Sequence, residues 1–65
     1  MEKLSEREKL ILQLIAKGTD NEDIGKTLFI SIHTVKAHIA NILIKMNVKN
    51  RTEAAFIAGK YKLVD

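Results

Sequence analysis

The chain has 65 residues and a net charge of +3. A chain this short buries only about 60% of its unfolded surface, too little for an enclosed active site beside a separate core. Hydrophobic residues at 46% against 29% charged fit a globular fold rather than disorder, and the lack of cysteine excludes disulfide staples, zinc fingers and thiol catalysis. No apolar run is long enough for a membrane span, and no stretch of signal-peptide length follows Met1. Residues 1–65 therefore read as a single domain, and its Leu, Ile, Ala and Lys, without any proline, are the vocabulary of helices.

The first helix is announced by Ser5 and Glu8, which are spaced as a capping box. An apolar stripe of Ile11, Leu12, Leu14 and Ile15 follows, and Gly18 supplies the stop, which predicts a helix over about 6–17. Asp20 caps a short second helix over 21–28, with Ile24 and Leu28 on its inner face. Gly25 inside that helix costs roughly 1 kcal/mol relative to alanine and calls for a reason, the simplest being close approach of another helix.

Phe29 and Ile30 form a tight turn, and Ser31 caps a third helix over 32–46. Val35, Ile39, Ile42 and Met46 fall in one narrow stripe there, with Ile32 and Leu43 on its edge. Asn50, with Glu53 three residues on, opens a fourth helix over 51–60. Ala54, Ile57, Ala58 and Tyr61 share its inward stripe, and Gly59 is placed to fray its end. The fold class is all-α.

Charge divides along the chain. Residues 1–23 carry a net of −2 and residues 24–65 a net of +5. A positive field over one part of a domain is the footprint of a polyanion partner, or simply a solvated lysine-rich surface. Position favours the first reading. Helices two and three, joined by three residues, have apolar Ile24, Leu28, Ile30 and Val35 where a helix-turn-helix unit needs them. Phe29 stands where many such units have glycine.

On the third helix, His33, Lys36, Ala37 and Ala40 lie between about 100° and 200° from Val35, opposite the core stripe. Small residues let the helix axis approach base edges, lysine donates to guanine O6 and N7, and an alanine methyl meets a thymine methyl. Thr34, Asn41 and Lys45 on one flank suit phosphate oxygens, and Ser31 and Lys49, near the two ends, complete that set. An ordinary solvated helix face remains the plainer alternative.

The residues argue against an enzyme. His33 and His38 diverge around the helix and cannot share a metal, and His38 is placed as a packed, hydrogen-bonded imidazole. Ser5 and Ser31 are caps without a strained nucleophile turn. The three glycines are isolated, so no loop cradles a phosphate. No metal or cofactor is expected. The competing reading is a helical module that binds protein, whose mark would be an apolar exposed face on helix three; that face is apolar only at Ala37, Ala40 and Ile44 and is flanked by bases. RNA is disfavoured because Phe29, Phe56 and Tyr61 make no stacking platform.

Several blocks carry a resemblance. Leu4-Ser5-Glu6-Arg7-Glu8, Ala16-Lys17-Gly18 and Asn21-Glu22-Asp23-Ile24 are followed by Ile30-Ser31-Ile32-His33-Thr34-Val35-Lys36-Ala37-His38. Lys45-Met46-Asn47-Val48-Lys49-Asn50-Arg51-Thr52-Glu53-Ala54 completes the series. Together, over roughly 4–61, they resemble the LuxR/NarL (GerE-like) DNA-binding domain. The resemblance implies a four-helix domain of bacterial transcription regulators, cytoplasmic and nucleoid-associated. Helix three would then be the recognition helix and helix four the dimerisation surface.

The resemblance further implies base contacts from Lys36, Ala37 and Ala40, with double-stranded DNA and RNA polymerase as partners. Ala40 departs from a position that is often basic or long in relatives, which shifts readout toward Lys36 and His33. Leu10 replaces a usual polar residue and Gly25 a common alanine. On helix four, Thr52, Ala55, Phe56 and Gly59 turn away from the inward stripe and form a small pairing patch, the alternative being that Phe56 folds back into the core. A weak homodimer, favoured on DNA, is expected from the patch.

Overall fold

The structure, a computed structural model, describes residues 3–60. Those residues form four helices and no strand: α1 (Glu6–Ala16), α2 (Asn21–Leu28), α3 (Ile32–Met46) and α4 (Arg51–Lys60). Tyr61, expected on the inward stripe of α4, lies outside the described residues.

Each of the first three helices starts where a side-chain oxygen meets an orphan amide. The Ser5 hydroxyl accepts from Glu8 N at 3.1 Å, while the Glu8 carboxylate accepts from Ser5 N at 2.8 Å. Asp20 accepts from Asp23 N at 2.9 Å, and Ser31 accepts from Thr34 N at 3.1 Å. Each such cap is worth about 1 kcal/mol. At α4, Asn50 accepts from Glu53 N at 2.8 Å. The return arm differs from the box expected there. Glu53 accepts from Lys49 N at 3.4 Å, one residue earlier than Asn50.

The same three helices also end alike, with a residue in the left-handed region and a backbone bond reaching five residues back. Thr19 N donates to Leu14 O past Gly18, Ile30 N to Gly25 O past Phe29, and Val48 N to Leu43 O past Asn47. This is the Schellman closure, which satisfies the last carbonyls of a helix. Gly18 adopts φ 85° without a Cβ penalty, and Asn47 tolerates φ 57°. Phe29, at φ 58°, has no such licence. Gly18 stops α1 at Ala16, one residue earlier than expected.

The core gathers one face from every helix. Ile11, Leu12 and Ile15 of α1, Ile24 of α2, Val35, Ile39, Ile42 and Met46 of α3, and Ala54 and Ala58 of α4 are buried together. Leu14, Leu28 and Ile57, expected on inner stripes, are half-buried at the margin. Each fully buried Ile or Leu contributes about 1.5–3 kcal/mol. Gly59 lies inside α4, which runs on to Lys60 without fraying at the glycine.

Gly25 has its reason, with a correction. A Cβ there would sit 2.8 Å from the backbone carbonyl oxygen of Ile30 but 3.7 Å from Val35 Cγ2 of α3. The obstruction is therefore the turn's own backbone, while the facing helix stands at ordinary contact distance. The missing side chain lets the turn fold back tightly against α2.

Among the described residues, no single helix is long and apolar enough to cross a membrane.

Candidate nucleic-acid interface

The path of the chain bends by 107° between α2 and α3. That lies within the roughly 90–120° of helix-turn-helix units, whose second helix stands proud of the domain. Burial of Val35, Ile39, Ile42 and Met46 fixes the rotation of α3 about its own axis. The opposite side faces solvent: His33, Lys36, Ala37, Ala40 and Asn41 are all exposed. Ser31 and Thr34 are exposed beside the helix N-terminus, their hydroxyl oxygens 3.0 Å apart. Lys49 is exposed beyond the C-terminus.

Lys45 is placed differently from the other flank residues. Its ammonium donates to Glu8 Oε1 at 2.7 Å, and its side chain is only partly exposed. It closes an ion pair between the last turn of α3 and the first turn of α1. Glu8 is buried to 4% exposure, and the adjacent Lys45 ammonium and the Ser5 amide hold its carboxyl below the usual carboxylate value of 4.5, against the opposing effect of burial. The capping box that marked Glu8 in the sequence carried no sign of this partner, 37 residues away.

One further feature escaped sequence reasoning. Arg51 donates through one guanidinium nitrogen to the side-chain oxygen of Asn21 and through another to Thr19 O at 3.0 Å. It ties the start of α4 to the loop between α1 and α2. Ile44, expected with Ala37 and Ala40 as the apolar part of the outward face of α3, is indeed 74% exposed there. The half-buried His38 makes no hydrogen bond to the described residues, contrary to the bonded imidazole expected.

On α4, Thr52, Phe56 and Gly59 are exposed and Ala55 is half-buried against the core margin. Phe56 points outward at 66% exposure, with the Lys60 ammonium 5.9 Å from its ring centroid. Ala54 and Ala58, on the other side of the helix, are buried.

A short helix, a tight left-handed turn and a protruding helix with a small-residue outer face define a helix-turn-helix domain. Residues 2–58 match the family described as bacterial regulatory proteins of the luxR family, and the chain belongs to that family. It carries the family's DNA-binding regulatory domain, which is not an enzyme family.

The chain is 53% identical over 98% of its length to the transcriptional regulatory protein LiaR of Bacillus subtilis, covering 30% of that protein. It is 50% identical over 92% of its length to YhcZ of the same organism, an uncharacterized transcriptional regulatory protein, covering 28% of it. It is 48% identical over 97% of its length to the response regulator protein VraR of Staphylococcus aureus, covering 30% of it. The chain thus spans under a third of the relatives it matches.

Proposed function

We propose that this chain reads double-stranded DNA for a bacterial transcription regulator, in the cytoplasm and on the nucleoid, with α3 in the major groove. The observation that carries this is the outer face of α3. A buried stripe and a 107° bend leave Lys36, His33 and two alanines together on the protruding side. Lys36 and His33 supply the donors to base edges, and the Ala37 and Ala40 methyls allow close approach and meet thymine methyls. Ser31, Thr34, Asn41 and Lys49 hold phosphates and set the register. Lys45 serves chiefly the fold, because its charge is already committed to Glu8.

A second copy pairs through Thr52, Ala55, Phe56 and Gly59 of α4. The patch is small against the roughly 1,200 Å² of a stable interface, so pairing is weak in free solution and favoured on DNA. Two half-sites about one helical turn apart are then occupied together, leaving other surfaces to meet RNA polymerase.

A salt titration tests the reading. Affinity for duplex DNA should fall steeply as salt rises, with a logarithmic slope near 0.9 per phosphate neutralised. Affinity that ignores salt between low and physiological concentrations would favour a protein-binding module, a reading that the exposed Ile44 keeps in view.

A further inference from the structure

Beside α4 lies an open pocket of about 380 Å³, lined by Ile15, Gly18, Thr19, Arg51, Thr52 and Ala55 among others. A cavity of roughly 150 Å³ suffices to bind benzene, so this one has room for a phenylalanine ring. Ile15, Gly18 and Ala55 give it apolar surface, Thr19, Asp20 and Thr52 add polar groups, and the Arg51 guanidinium in its lining is held in place by Thr19 and Asn21. An aromatic ring seated there would meet the Ile15 and Ala55 side chains and a fixed cation, the two kinds of surface such a ring favours. No described side chain of the same copy fills it. Phe56, the one exposed phenylalanine of α4, does not line the pocket of its own chain.

The knob and the hole share one helix face. Thr52 and Ala55 line the pocket, and Phe56 projects next to them. A two-fold interface needs this arrangement, because each copy must present both halves of the contact.

The geometry points to reciprocal insertion: Phe56 of each copy seats in the pocket of a second copy, between its α4 and its α1–α2 loop. The inference rests on the proposed pairing through α4 and adds to it. It brings Gly18 and Thr19, residues outside α4, into the interface. It also gives Arg51 two tasks, bracing its own loop and facing the partner's ring.

Photo-crosslinking tests this with the aromatic knob kept. Phe56→p-benzoylphenylalanine is prepared in light and isotopically heavy chains, mixed, bound to a duplex with two half-sites and irradiated. Trypsin releases the pocket loop as peptide 18–26, separate from peptide 52–60 of α4. Light–heavy links from position 56 to peptide 18–26, or to residues 52–55, are expected. Links confined to position 56 or beyond would place the two rings against each other on the axis and overturn the proposal. Absence of any light–heavy link while two copies occupy the duplex would also overturn it.

Gel mobility in the same samples reports DNA binding itself, so failure to bind duplex would fall on the functional reading instead. In that case irradiation at high protein concentration without DNA decides the insertion by the same link pattern. A second variant, Thr52→Trp, fills the pocket from an exposed position. It should leave binding to a single half-site unchanged and reduce cooperativity between two half-sites by roughly tenfold or more, within the usual span of such couplings. Unchanged cooperativity would overturn the proposal.

Discussion

Phe29 carries the clearest local conflict in the molecule. Its backbone sits at φ 58°, ψ 43°, where an L-residue with a bulky side chain is strained by about 1–2 kcal/mol. Its ring is 94% exposed and returns almost no burial energy in exchange. Phe29→Gly should therefore raise stability by about 0.5–1 kcal/mol, the relieved strain less the entropy that glycine loses on folding. Thermal melting checks this, and a rise of a few degrees is expected for a domain of this size. A fall would mean that the exposed ring stabilises the turn in some further way.

Glu8 makes a second prediction. Its carboxyl titrates below 4.5 in the fold, so the ion pair's contribution is complete above that value and is lost as pH falls through the lowered one. Glu8→Gln should lower stability at neutral pH and flatten the acid limb of a stability–pH curve. Lys45→Ala, which leaves a buried carboxylate without its cation, should cost about 1–3 kcal/mol at neutral pH. The Ser5–Glu8 box was legible in the sequence because both partners lie within one turn. The Lys45 and Arg51 contacts were not, because they join residues 30 or more apart whose meeting depends on how the helices pack.

At the scale of elements, α1, α2 and α3 were legible to within a residue because cap and stripe agreed in each, and in α1 the stop as well. The Ser5, Asp20 and Ser31 caps fall where periodicity begins, and Gly18 falls where it ends. Agreement between local signals of this kind is what lets a short sequence specify one fold. Gly25 shows the boundary of such reasoning. Its presence signalled crowding, but a turn carbonyl and a facing helix leave the same mark in sequence.

The division of labour on and around α3 yields the matching prediction. Lys36→Ala should cost about 1–3 kcal/mol on a preferred site and relax preference at one base pair. Lys49→Ala should weaken all duplexes about equally and reduce the salt slope by about one unit. Competition binding on a selected site and on shuffled duplexes separates the two. Matching behaviour of the two variants would remove the distinction between a base-reading face and phosphate-holding ends.

For the whole molecule, the outer side of α4 decides whether one copy acts alone. Sequence reasoning left Phe56 divided between an outward patch and a place in the core, because α4 carries apolar residues around most of its circumference. Packing resolves this: Ala54 and Ala58 fill the inner side at full burial, and the larger ring is left facing out. An exposed phenylalanine beside Thr52, Ala55 and Gly59 has little to lose in the isolated domain and much to gain when covered. Phe56→Asp should therefore leave a domain that melts cooperatively, with stability changed by roughly 0.5 kcal/mol or less, as is usual for an exposed position. The same substitution would set two carboxylates into the patch where the copies meet, one from each, in a surface built of small and apolar groups. Like charges brought together there oppose pairing without touching α3. Binding to one half-site should survive, and simultaneous binding to two should be lost. Melting curves and gel-shift titrations on one-site and two-site duplexes measure both. A variant that unfolds would return Phe56 to the core, and one that still fills two sites cooperatively would move the pairing surface off α4.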